Sequence, residues 1–149
     1  MLRVLIYALA STVLFATAAR AELIRKPSSY AVDATIDRFE AVLKKQGMTI
    51  FARIDHAAAA KKAGMDLRPT MLLIFGNPKI GTRLMQATQT MGIDLPLKAL
   101  AWRDADGKVW LAYEKPADLA KARGIDQEHE IVKRMTGALD KMTDAALAK

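Results

Sequence analysis

Apolar residues recur along the chain with two different periods, and these periods predict its helices and strands. Ile36, Phe39 and Leu43 have the spacing of one helix face, and Gly47 stands where a helix with that face would end. Asp33 is the predicted N-cap of this helix. Similar apolar stripes predict the two later long helices, and start and stop residues predict the two short ones: Asp55 and Gly64 for the first, Pro116 and Gly124 for the second. The predicted helices cover about 33–46, 57–62, 78–90, 116–123 and 127–147.

The strands are predicted from alternation and from unbroken apolar runs. Apolar residues occupy every second position of 48–54, which predicts a strand with one face more buried than the other. The run MLLIF within 69–75 is typical of a central strand buried on both faces. Segments 97–103 and 108–113 are separated by Asp-Ala-Asp-Gly, which predicts a hairpin.

The order of these elements predicts the fold class. Helix, strand, short helix, strand, helix, hairpin and helices follow one another, and parallel crossovers combined with an antiparallel hairpin imply a mixed sheet. With helices mainly on one face, the expected fold is α+β, a two-layer α/β sandwich. Because the other face has no obvious cover, we also expect two copies to pair through it.

The first 21 residues resemble a cleavable export signal. Arg3 is followed by an uncharged, mostly apolar stretch, Val4–Ala18, and Ala19-Arg20-Ala21 fits a small-x-small cleavage pattern. The apolar stretch is shorter than the roughly 20 residues that span a bilayer. We expect cleavage after Ala21, with Ala18 as a second option. Residues 22–149 would then form one periplasmic or secreted domain with no membrane span.

Composition removes several classes of site. The chain has no cysteine, which excludes thiol nucleophiles, cysteine-ligated metals and covalently attached c-type haem. With only two histidines, a structural zinc site is not expected. The net charge is +7, but the basic residues are dispersed in pairs such as Lys44-Lys45 and Lys61-Lys62 on predicted helix faces. Nucleic acid is therefore not an expected partner.

Three polar clusters interrupt the apolar runs, each where a predicted strand meets another element. They are Asp55-His56, Gly76-Asn77-Pro78-Lys79 and Asp94-Leu95-Pro96. Sites in α/β domains are concentrated at such junctions. Two interpretations of His56 remain open: a structural residue at the start of a helix, or an imidazole ligand or general base.

The other cluster residues also have two interpretations each. Asn77 and Pro78 are a strong helix-start pair, yet the free N–H groups of such a start, with Lys79 beside them, can bind an anion. Asp94 can fix the turn before the hairpin, and Lys98 is either an edge residue or a functional amine. A shared ligand site is the hypothesis for five side chains: His56, Asn77, Lys79, Asp94 and Lys98.

With these three clusters in this order, the chain resembles the bacterial and archaeal family known as domain of unknown function 302. The resemblance rests on residues 52–56, 75–78 and 94–98, with Trp110, Tyr113 and Pro116 also fitting, and it covers about 28–125. It implies a compact two-layer α/β domain that tends to form homodimers. It implies no established activity.

Three functions remain open at this point. The favoured one is an exported homodimer that binds a small ligand near His56, either an anion or non-covalent haem with His56 as axial ligand. The second is an interaction module without a small ligand. The third, less favoured, is an enzyme with His56 as general base and Asp55 or Asp94 orienting it.

Overall fold

The structure is a computed structural model that describes residues 22–149, so the predicted export signal at 1–21 lies outside the described residues. Within residues 22–149, five strands and five helices follow one another, with a 3₁₀ helix at Gln89–Ile93. The strands are β1 (Leu23–Ser28), β2 (Thr49–Asp55), β3 (Thr70–Gly76), β4 (Leu97–Arg103) and β5 (Val109–Glu114). The helices are α1 (Val32–Lys45), α2 (His56–Lys62), α3 (Pro78–Ala87), α4 (Pro116–Ala122) and α5 (Glu130–Leu147).

All five strands form one antiparallel sheet in the order β1-β5-β4-β3-β2. The α+β class is confirmed, but the predicted mixed sheet is wrong. A parallel crossover needs a return element about as long as the strands, which here span about 23 Å. Helix α2 rises only about 10 Å. Helix α3 is followed by the 3₁₀ helix, which turns back on it: a Cβ at Gly92 would lie 3.2 Å from the sulfur of Met85.

The core lies between α1, α5 and one face of the sheet. Phe39 of α1 meets Phe75 of β3 edge to face, with ring centroids 5.2 Å apart, and both side chains are fully buried. On the same sheet face, β4 and β5 contribute Ala101 and Leu111 to this core. From the helix layer, α5 contributes Leu139. The opposite face, called the outer face below, carries five large half-buried apolar side chains: Leu72, Ile74, Leu100, Trp102 and Trp110.

A β-bulge at Phe51 changes which residues of β2 face the core. Ile50 pairs with Phe75, but Ala52 pairs with Ile74, so the register shifts between them. The predicted single alternation through 48–54 is therefore wrong, because the extra residue turns Ala52 to the outer face. Phe51 itself is 51% exposed.

Capping residues begin and end several elements. Asp55 caps α2, since its carboxylate accepts a hydrogen bond from the Ala58 N–H at 2.8 Å. The prediction that Asp33 is the N-cap is wrong, because α1 begins at Val32 and its N-cap is Ala31. Asp33 lies in the first turn instead, where a negative charge favours the helix dipole. Gly47 has φ +72°, which confirms its place after α1.

The predicted hairpin between β4 and β5 is confirmed, with Gly107 at φ +80°. Asp104 closes it. Its carboxylate accepts hydrogen bonds from Trp110 Nε1 at 2.7 Å and from two backbone N–H groups, those of Asp106 and Lys108. These bonds, the one from Trp110 above all, lower the pKa of Asp104.

Ion pairs fix α5 across the sheet. Lys26 of β1 lies 2.6 Å from a carboxylate oxygen of Asp140 and 2.6 Å from one of Asp144. The hydroxyl of Tyr113 on β5 donates to Asp140 at 3.2 Å. The hydrogen bond from Lys26 lowers the pKa of Asp140. Helix α5 is thereby held over β1 and β5, and this positions the half of the helix that faces α3.

We expect the Asp140→Asn variant to lose about 1 kcal/mol of stability at pH 7, a value reduced for the exposure of the carboxylate. Because folding lowers the pKa of Asp140, its contribution is present above the unfolded pKa near 4 and disappears as the pH falls through the folded value. The difference from wild type should therefore shrink between pH 5 and pH 2. Urea denaturation across this range measures it, with the exposed Asp66→Asn as the charge-matched control. A difference that stays constant with pH would contradict the assignment.

Candidate functional site

A cavity of about 550 Å³ lies between α3 and α5 at one end of the sheet. Its walls come from the β3–α3 turn, α3 itself, residues 95–97, the start of β2, and the face of α5 from Ile131 to Met142. The volume is within the range of small-molecule pockets. We call this space the α3–α5 cavity.

The β3–α3 turn sets the position of α3 at the cavity. Asn77 is its N-cap, as predicted: the side-chain oxygen accepts from the N–H groups of Lys79 at 3.0 Å and Ile80 at 3.4 Å. Pro78 occupies the first helical position. Because Asn77 already bonds two of the N–H groups of this helix start, folding explains Asn77 without a ligand.

Most of the cavity wall is apolar. Four methionines from three segments contribute to it: Met48 before β2, Met85 on α3, and Met135 and Met142 on α5. Methionine side chains are flexible and polarisable, so a wall made of them can adjust to ligands of different shape. Phe51, which the bulge turns out of the regular alternation, completes this wall beside Gly76.

Three exposed cations line the cavity as well: Lys79 and Arg83 from α3, and Arg134 from α5. Helix α3 has no acidic residue to pair with its two cations. Arg134 lies 3.8 Å from Glu130, but both side chains are more than three-quarters exposed, so the pair is weak. The cavity therefore combines an apolar interior with positively charged side chains.

The structure brings two of the five predicted site residues into this wall, namely Asn77 and Lys79. His56 is the first residue of α2, where it is exposed and outside the cavity wall. Haem ligation or general-base chemistry by His56 stays a prediction.

The other two predicted residues lie nearby but have other contacts. Asp94 forms a two-pronged ion pair with Arg123, with Nε–Oδ2 2.5 Å and Nη2–Oδ1 3.3 Å, and this ties the segment before β4 to the end of α4. The pair raises the pKa of Arg123, chiefly through the hydrogen bond to Asp94. Lys98 is exposed on the outer face, and its ammonium donates to the Asp94 carbonyl at 3.3 Å.

Sequence reasoning missed the contribution of α5, and it left the cation Arg83 out of the five predicted site residues. The place of α5 opposite α3 depends on its tertiary contacts with α1 and α4, and the amphipathic pattern of α5 does not state these partners. One signal was present in the sequence: Lys79 and Arg83 are four residues apart in a helix without acids. Like charges at that spacing destabilise a helix slightly, which suggests another use for them.

Two further findings concern residues 22–149 alone. No helix there is both long enough and apolar enough to span a membrane. Within the same residues, histidine, aspartate and glutamate side chains do not gather in groups of three or more that could hold a metal ion.

Comparisons with known proteins agree on the fold. A family model described as "Domain of unknown function DUF302" matches residues 24–146. A crystal structure of an uncharacterized conserved DUF302 protein from Bacillus stearothermophilus superimposes with a TM-score of 0.68 at 21% identity, covering 84% of this chain and 94% of that one. At this identity the likeness shows the fold alone.

Sequence comparison also finds longer relatives. The fluoride-specific ion channel FluC 1 of Brucella suis biovar 1 (strain 1330) is 48% identical over 117 residues, which is 77% of this chain and 46% of that protein. The fluoride-specific ion channel FluC 2 of Brucella melitensis biotype 1 is 48% identical over 117 residues, 77% of this chain and 43% of that protein. The chain thus spans less than half the length of these curated relatives.

Proposed function

The chain belongs to the DUF302 family, and we propose that it is a small exported binding protein that holds a small ligand in the α3–α5 cavity. The observation that carries the proposal is the cavity itself: about 550 Å³, with apolar walls and a few polar groups from α3 and α5. Ligand pockets typically have this combination of size and lining.

Export is supported by the sequence of residues 1–21, with a basic residue, an apolar stretch and a small-x-small site. The curated relatives are named as fluoride channels, but the chain matches less than half of each. Channel activity is therefore left out of the proposal. The predicted periplasmic or secreted location is retained.

Pairing of two copies through the outer face is the second part of the proposal. Five strands about 4.8 Å apart and about 20–23 Å long give this face a footprint of several hundred Å², before side chains are counted. At one end of its apolar centre, Lys98 of β4 and Glu114 of β5 lie side by side on adjacent strands, and both are exposed. In a pair whose twofold axis runs between β4 and β5, each lysine can meet the glutamate of the other copy.

A ligand-free interaction module is the competing function. Whether the protein isolated from its native compartment carries a bound ligand distinguishes the two functions. We expect native mass spectrometry of the wild-type protein to show a non-covalent adduct. The Gly81→Leu variant should lose it. A Cβ at Gly81 would have Leu95 as its nearest neighbour, at an ordinary 3.6 Å, and because Gly81 lines the cavity, the larger side chain is expected to take up cavity volume.

The matched control is Gly137→Leu, on the exposed side of α5, where an added Cβ meets nothing within 4 Å. This variant should keep the adduct. Wild-type protein without any adduct, or an equal adduct in Gly81→Leu, would contradict ligand binding in the cavity. His56→Ala belongs in the same series: if the adduct is haem on His56, this variant alone loses both the adduct and its Soret absorption.

A further inference from the structure

We infer that the cavity ligand is a single-chain amphiphile, one alkyl chain ending in an anionic oxygen group such as a carboxylate or a phosphate monoester. The inference rests on the proposed function and names the chemical class of its ligand. Two independent features of the α3–α5 cavity carry it: the shape and composition of its walls, and the charge of the side chains beside them.

The walls suit an alkyl chain. The face of α5 from Ile131 to Met142 extends for about 16 Å. A straight chain of about twelve carbons is about 14 Å long, because each zigzag carbon–carbon bond of about 1.5 Å advances the chain by about 1.25 Å, so it fits along this face. Met85 and Ile80 of α3 line the other side. Such a wall buries methylene groups away from water, and these groups need no hydrogen-bond partners.

The charges suit an anionic end group. Lys79 and Arg83 lie one helical turn apart on α3, and Arg134 faces the same cavity from α5. Guanidinium groups bind carboxylate and phosphate oxygens with two parallel hydrogen bonds, which gives direction as well as attraction.

The acids on the framing elements leave this charge largely uncompensated. Asp94 is bound to Arg123, and Asp140 is bound to Lys26 on the far side of α5. Glu130 is the acid beside Arg134, at 3.8 Å and in solvent. An incoming anion therefore meets a net positive field at the cavity.

Together the two features select against simpler ligands. An inorganic anion would meet the arginines and leave the apolar walls in contact with water. A neutral hydrocarbon would fill the cavity but would not interact with the arginines. A molecule with both parts uses the whole site.

The experiment is calorimetric titration of the full mature protein with octanoate, decanoate, dodecanoate, dodecyl phosphate and dodecanol, all below micelle-forming concentrations. We expect affinity to rise about tenfold for each two methylenes added, until the cavity is filled. Dodecanoate or dodecyl phosphate should bind at least tenfold more tightly than dodecanol. Their order tells whether the natural end group is a carboxylate or a phosphate.

Charge reversal tests the arginines. The double variant Arg83→Glu/Arg134→Glu should weaken dodecanoate at least tenfold and change dodecanol less than twofold. The control is Lys121→Glu/Lys141→Glu, which makes the same change in net charge at two exposed lysines outside the cavity wall. It should leave both ligands within twofold. Thermal unfolding of each variant verifies that it is folded.

The outcomes separate this inference from the proposed function. Dodecanol binding as tightly as dodecanoate, or equal losses in the two double variants, would overturn the anionic end group and leave cavity binding intact. Failure of every alkyl ligand, with the native adduct still present, would overturn the amphiphile class alone. Failure of every ligand together with the absence of an adduct would overturn both.

Discussion

Replacing Phe39 with alanine is expected to lower the free energy of unfolding by about 3–5 kcal/mol. The ring is fully buried and packs edge to face on Phe75, so it joins α1 to β3 of the sheet. Truncation removes both the buried apolar surface and the ring contact, and it leaves a void that close-packed neighbours fill only in part. Urea denaturation measures the loss, and a domain of this size should also melt many degrees lower.

The matched control is the same substitution at Phe51, which is half exposed at the bulge. Because much of this ring is already in water, Phe51→Ala should cost no more than about 1.5 kcal/mol. Equal losses in the two variants would show that the Phe39–Phe75 contact does not hold the layers together.

Leu100→Arg is expected to weaken self-association at least 100-fold. Leu100 lies on the central strand β4, between Leu72 of β3 and Ala112 of β5, in the middle of the outer face. A guanidinium there would be buried against its own copy in a face-to-face pair. A twofold interface contains each substitution twice, so a cost of about 2 kcal/mol per site acts twice.

Sedimentation equilibrium of wild type and variant over a wide concentration range measures this effect. Ile93→Arg is the control, because Ile93 is 72% exposed in the 3₁₀ helix and not on a strand. Ile54→Arg, at an exposed position of the outer face, gives a second variant with little risk to folding. A monomeric wild type, or an unchanged dimer in both outer-face variants, would contradict pairing through this face.

Local sequence signals predicted the elements because their causes are local. Asp55 and Asn77 cap helices with their own side chains, and the glycines after α1 and before β5 take positive φ where the chain must turn. Much of what distinguishes the family clusters has such a folding role. Arg53, one of the residues 52–56 on which the family resemblance rests, forms an ion pair with Asp37 of α1.

The errors came from contacts between segments distant in sequence. Strand direction depends on where a connection re-enters the sheet, and the turn of the 3₁₀ helix back onto α3 is not visible in apolar spacing. The bulge at Phe51 likewise shows no local signal. For the same reason the site was half predicted: Asn77 and Lys79 were identified, whereas Arg134 and Met135 enter the cavity only through the packing of α5.

The central claim is that the α3–α5 cavity is the ligand site, and its four methionines test it directly. In protein labelled with ¹³C at methionine methyl groups, titration with dodecanoate should shift the signals of Met48, Met85, Met135 and Met142. Met65, exposed in the loop after α2, and Met71, buried in the core outside the cavity wall, should not move. Shifts confined to Met65, or no shift at the four cavity methyls with ligand or with native adduct bound, would contradict the account.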